Sequence, residues 1–292
     1  MSATLLAVVI AVLLGHTVGS VARLRRLDWF IAWNDWLGER RRREGRWGLL
    51  LVLLPPLVLV ALVQFWLGSL LFGIPAFFFA VLVLLFSWGP RDLDRDVEAV
   101  IDAGDPVARR DALAMLRVDA PEGQAAPDTL VNAIFHAALR RWFGVLFWFL
   151  VLGPVGALAY RLLVVCADGP AQTGLAPGEQ SLADTLLRAA EWPVAQVMTL
   201  GLALVGDFDR VLAAWRDWHS GPASMDAGFL YAAGRACVAI EAVDEPVEML
   251  DVPATDFEPG VGALRSAMAL AWRVLLLWLA VLALFVLAGF VN

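Results

Sequence analysis

Hydrophobic positions along the chain fall into long blocks rather than short alternating runs. Residues 47–66, 70–88, 142–165 and 265–290 are apolar nearly throughout. At 1.5 Å per helical residue each is about one bilayer long. A helix satisfies its backbone amides within a single segment, so blocks of this length predict spanning helices. Residues 3–22 form a further apolar block, but its "GHTVGS" portion is only weakly apolar. That block reads either as a span or as an interfacial helix. Residues 192–206 carry no charge, yet fifteen residues fit a re-entrant or short tilted helix as well as a full span.

Polar stretches separate these blocks at 23–46, 89–141 and 207–263. Within the first, "LDWFIAWNDWL" places apolar residues and three Trp at helical spacing, as an interfacial helix does. Within the second, "DPVARRDALAML" predicts an amphipathic helix with Pro106 in its first turn and Ala108, Leu113 and Leu116 on one face. "DTLVNAIFHAALRRWF" predicts another, with Asp128 as its N-cap. The short joint "LGSLLFGIP" makes a tight hairpin of 47–66 and 70–88. "RRRR" at 40–43 places the outer ends of that hairpin in the cytoplasm, and by parity residues 89–141 as well. Residues 142–165 then cross outward. The acidic 207–263 region stays open as to side, because acids contribute little to topology. The expectation is an all-α, polytopic inner-membrane protein with amphipathic cytoplasmic helices, folded as one membrane domain over 1–292.

Composition agrees. The chain of 292 residues is 60% hydrophobic, with a mean hydropathy of +0.72, against about 45–50% apolar for a soluble domain. The net charge of −7 suggests no nucleic-acid partner, which would call for a basic face. Every basic residue is Arg, so neither a Walker A loop nor a lysine Schiff base can be built. Cys166 and Cys237 lack metal-ligand spacing, and His16, His136 and His219 are scattered. There is no HExxH and no GxSxG. No catalytic residue, metal or cofactor is assigned, and the pattern leans away from an enzyme.

One constellation invites a ligand. His136 and Arg140 sit four residues apart on a predicted helix face, and Arg141 follows. Guanidinium forks bind phosphate or carboxylate bidentately, so an anionic small molecule is the expected guest. Tyr160 and Arg161 close the block that begins there, and Arg161 would lie about six helical turns beyond Arg140. Gly153, Pro154 and Gly156 interrupt that block. Glu191 stands at the mouth of the short apolar helix, and an ionisable group at such a depth is a functional candidate. The candidate ligand-binding set is therefore His136, Arg140, Arg141, Tyr160, Arg161 and Glu191.

"LFWFLVLGPVGALAYR" and "DPVARRDALAMLRVD" resemble segments of the CobD/CbiB family, membrane enzymes of cobalamin assembly. The acid- and Asn-bearing segment which that family carries before its "LFW" reads "NAIFHAALRRWFG" here, and its "NTLD" reads "VVCA". Its later Asp pair is also missing from "TLLRAAEWPVAQVM". A nucleotide-using ligase needs such carboxylates for Mg²⁺ and for proton transfer. "AEWPVAQVMTLGLALVGDFDRVLAAWRDW" resembles the AmpE family, which has this scaffold without those acids. That resemblance implies a multi-pass protein of the bacterial inner (plasma) membrane. It implies a role in regulating β-lactamase induction, linked to cell-wall recycling through a partner amidase. A CobD/CbiB-like enzyme and a small-molecule or lipid transporter remain the alternatives.

Overall fold

The computed structural model describes residues 6–11, 27–40, 48–69, 73–88, 92–120, 123, 125–221, 225–244 and 259–288. Among these the regular structure is helical, with no strand. The helices are α1 (Asp28–Arg40), α2 (Gly48–Gly68), α3 (Ile74–Ser87), α4 (Leu93–Ile101), α5 (Pro106–Met115), α6 (Pro127–Ala138), α7 (Gly144–Asp168), α8 (Pro177–Val205), α9 (Phe208–His219), α10 (Gly228–Asp244) and α11 (Pro259–Leu287). A π-helical turn, Leu139–Phe143, leads from α6 into α7, and a 3-10 turn, Gln172–Gly174, follows α7. Residues 6–11 are helical. The rest of the block at 3–22, Arg41 to Arg43, and the acidic run at 245–258 lie outside the described residues.

The chain divides into two compact units. The first comprises Met1–Pro90, Arg140–Glu191 and Val281–Asn292; the second comprises Arg91–Leu139 and Trp192–Ala280. In the first, α2 and α3 pack on each other and both pack on α7, while α1 rests on α2 and on the 3-10 turn. In the second, α4 packs on α5 and α6, and α10 packs on both α6 and α9. Trp272 of α11 donates its indole N–H to Asp94 of α4 at 2.7 Å.

Three helical stretches are long and apolar enough to cross a membrane: Gly48–Gly68, Pro127–Asp168 and Gly260–Phe285. Along α2, Leu54, Leu59, Leu62 and Phe65 are all exposed. An apolar face of that size would be a liability in water and suits contact with a bilayer.

Local chemistry sets several helix ends. Asp105 caps α5, accepting from the backbone N–H of Val107 and of Ala108 at 2.9 and 2.8 Å, with Pro106 at the first helical position. The buried face of α5 is Ala112 and Leu113, continued by Leu116, and Ala108 is exposed. Five residues turn a helix by about 500°, so Ala108 and Leu113 cannot share a face. Asp128 lies inside the first turn of α6 rather than at its cap; Ala126 holds the cap position and Pro127 opens the helix. The polar, glycine- and proline-bearing stretch after α7 is short, because α8 starts at Pro177. There Glu179 reaches back and accepts from the N–H of Ala176 at 3.1 Å, one half of a capping box. α8 then runs unbroken through Pro193, so residues 192–205 are the second half of a longer helix and Gly206 lies just past its end.

The largest departure is α7, which is two helical arms rather than one rod. Gly153 has φ 67° and ψ −155°, a conformation essentially restricted to glycine. Pro154 follows and cannot donate to the preceding turn. The arms, 144–152 and 154–168, fold back on each other. A Cβ on Gly144 would lie 2.2 Å from the Tyr160 ring, and one on Gly156 would lie 2.2 Å from the Trp148 carbonyl. In a straight helix, Gly144 and Tyr160 would be about 24 Å apart.

Candidate functional site

The fold-back of α7 brings its two ends together, and a charged cluster forms where they meet. Arg140 lies in the π turn that leads into the first arm. Such turns add a residue per turn, re-aim side chains and recur at functional sites. Asp168 is the last residue of the second arm. The Arg140 guanidinium donates from Nη1 to Asp168 Oδ2. On its other edge it grips Glu191 of α8, donating from Nε to Oε1 at 2.5 Å and from Nη2 to Oε2 at 3.4 Å. The Glu191 contact is therefore a two-point fork, the geometry in which Arg binds a carboxylate most specifically. α8 is held beside the first arm by a further bond, from the Trp148 indole N–H to the Ala190 carbonyl at 3.2 Å.

The two carboxylates differ in exposure. The Glu191 side chain is 7% exposed and that of Asp168 is 40% exposed, with Arg140 between them at 16%. Glu191 lies outside the three candidate spans. Burial holds its carboxyl above the ordinary glutamate range, and the Arg140 guanidinium offsets only part of that rise. One cation meets two anions, so the cluster holds Arg140 saturated on two sides.

Tyr160 lies within electrostatic reach of Arg140 and is buried, its ring seated against Gly144. Arg161 is buried on the second arm. It lies about two turns before Asp168 on the same arm, and the fold-back brings the end of that arm to Arg140 instead of leaving Arg161 six turns beyond it. Arg141 is half-buried in the π turn.

His136 belongs to the second unit and makes a different kind of contact. Its Nδ1 lies 2.8 Å from Tyr231 Oη on α10. One turn earlier on α6, Asn132 Oδ1 accepts from Arg235 Nη1 at 2.6 Å, and Asp128 stands 3.9 Å from Arg235 Nε. These residues form a polar seam between α6 and α10. Of the six expected residues, Arg140 and Glu191 are in direct contact.

Asp168 was not among the expected residues, and neither were Tyr231 and Arg235. Asp168 carries one weak sequence signal, an acid directly after an apolar run. Its meaning depends on the turn at Gly153, which brings it across 28 residues of chain to Arg140. Among the described residues, no group of three or more His, Cys, Asp or Glu is arranged to hold a metal ion.

The family model of the regulatory signalling modulator protein AmpE matches residues 37–224, a span that contains Arg140, Asp168 and Glu191. The match covers more than half of the chain, and the chain belongs to the AmpE family. No curated protein and no solved structure matches it.

Proposed function

We propose that this AmpE-family chain works in the bacterial inner membrane as a modulator of β-lactamase induction coupled to cell-wall recycling, and that the Arg140 cluster is the seat of its response. The observation that carries this reading is the guanidinium clasped between Glu191 and Asp168 at the closure of a folded-back helix. A buried ion pair is a poor source of net stability, but it is well suited to specifying one arrangement and to switching between two. An anionic cell-wall-derived ligand would compete for Arg140 with Asp168, the more exposed carboxylate, while Glu191 keeps its two-point hold. Release of Asp168 would free the end of the second arm, and a partner amidase or another signalling protein would read that change.

The same geometry supports a re-entrant reading of 142–165. Both ends of the hairpin meet at Arg140 and Asp168, so the segment would enter and leave the membrane on one side. Its first arm, at about 1.5 Å per residue, is also far too short to cross a core of about 30 Å.

The test is β-lactamase induction by a β-lactam in a strain lacking this gene but carrying an inducible enzyme. The strain is complemented with wild type, Arg140→Ala or Asp168→Asn, with membrane levels of each protein measured. Restoration by wild type, none by Arg140→Ala, and a response at lower inducer concentration with Asp168→Asn are the expected results. Full restoration by a normally inserted Arg140→Ala protein would remove the cluster from the mechanism. Unchanged induction on deletion would remove the β-lactamase role.

A further inference from the structure

The clasp at Arg140 sets one positive charge against two carboxylates, so the three side chains together carry an excess of negative charge. An anion approaching Asp168 would be repelled by that excess before it could compete for the guanidinium. A site that exchanges Asp168 for a ligand anion therefore calls for a further cation at its rim.

α8 supplies one. Arg188 lies three residues before Glu191, and residues at that spacing are neighbours on a helix surface, with about 5–6 Å between their Cβ atoms. Cα–Cβ bonds in a helix tilt toward its N-terminus, so Glu191 leans toward the turn that carries Arg188. The Arg188 charge is felt there, since together with Arg140 it favours the ionised form of Glu191. The two arginines differ in commitment. Arg140 is held on both edges, whereas Arg188 is exposed and, among the described residues, no hydrogen bond or ion pair engages it. That includes Asp184, one turn earlier on α8. Arg141 of the π turn is half-buried and already engaged.

Given Arg140 as the seat of the response, a reading on which this step rests, we infer that Arg188 is the second arginine of the ligand site, forking a soluble carboxylate or phosphate that displaces Asp168 from Arg140. Arg188 balances the excess negative charge, so the site as a whole no longer repels an anion. Its guanidinium is open to take one oxyanion while Arg140 turns Nη1 from Asp168 to the same ligand, and Glu191 stays paired throughout. The ligand class narrows accordingly. It is an anion with at least two oxygen acceptors that can face two guanidiniums, which a carboxylate or a phosphate provides and a halide does not.

The test is calorimetric titration of the full chain, in phosphatidylcholine nanodiscs, with inorganic phosphate at an ionic strength held constant with sodium chloride. Wild type is expected to bind phosphate saturably. Arg188→Gln is expected to weaken binding about tenfold, with its melting temperature in the absence of phosphate unchanged, because an exposed and unengaged side chain holds nothing in place. Arg188→Lys keeps the charge, loses the fork and is expected to fall between the two. Asp168→Asn removes one negative charge and the competitor, so D168N/R188Q is expected to recover affinity; a structural role for Arg188 would not be rescued in this way. Equal binding by wild type and Arg188→Gln would overturn the assignment of Arg188 and leave Arg140 in place. Binding left intact in R140A/E191Q, or no saturable binding by wild type, would overturn the reading of Arg140 and this inference with it. Loss of phosphate binding when phosphatidylglycerol replaces phosphatidylcholine would overturn a soluble ligand in favour of a lipid headgroup.

Discussion

The last α6 residue of the α6–α10 seam, His136, and Arg140 of the charged cluster are four residues apart in sequence, yet the two are built on opposite principles. In the first, a guanidinium is clasped between two carboxylates, one of them nearly inaccessible. In the second, half-buried His136 and Asn132 meet Tyr231 and Arg235 through single hydrogen bonds, and the nearby Asp128 is largely open to solvent. The energetic stakes differ accordingly. A charge whose partner is removed in a buried site keeps its desolvation cost, whereas a half-exposed group turns to solvent. Position along the chain therefore says little about the weight of a polar residue; the enclosure built around it decides.

The largest expected effect follows from removing the shared cation. Arg140→Ala leaves Glu191 buried without its fork and should lower stability by about 3–5 kcal/mol, read as thermal unfolding in detergent. Glu191→Gln on top of it should restore part of the loss, with a coupling of about 0.5–3 kcal/mol from the double-mutant cycle. Additive effects would mean that the fork carries no interaction of its own.

Next comes the turn that makes the cluster possible. Gly153→Ala meets no steric obstacle but forces a side chain into a glycine-only conformation. The expected cost is about 1–3 kcal/mol, with a longer distance between spin labels at positions 141 and 169. An unchanged distance would show that packing alone holds the hairpin shut.

Smaller effects sharpen the contrast. Tyr231→Phe removes one half-buried hydrogen bond, and about 0.5–1.5 kcal/mol of stability should go with it. Asp168→Asn touches the exposed side of the Arg140 cluster, where pairing contributes at most about 1 kcal/mol. A loss of stability well above that would place Asp168 on the same footing as Glu191.

Much of the helical plan is legible in the chain. The apolar blocks at 47–66 and 265–290 mark α2 and α11, because a spanning helix announces itself through length and hydropathy alone. Pro106 and the preceding Asp105 mark the start of α5 through local bonding. Arg140 and Glu191 are legible as charges at the margins of apolar runs. Asp168 is not, since nothing local to "VVCAD" says which guanidinium it will meet. The seam partners Tyr231 and Arg235 are hidden for the same reason, lying about a hundred residues from His136 and Asn132.

By itself, then, the sequence determined a helical chain with apolar stretches fit for a bilayer, an arginine-rich segment around a tryptophan-bearing helix, and the absence of lysine chemistry. These are one-dimensional properties, written in composition and period. Tertiary structure alone decided that Gly153 reverses α7 and that Arg140 closes on Asp168 and Glu191. The reason is geometric. A glycine followed by proline permits a break without dictating its angle, and the packing of two arms against α2, α3 and α8 selects, from what Gly153 permits, the fold-back that brings distant charges into contact.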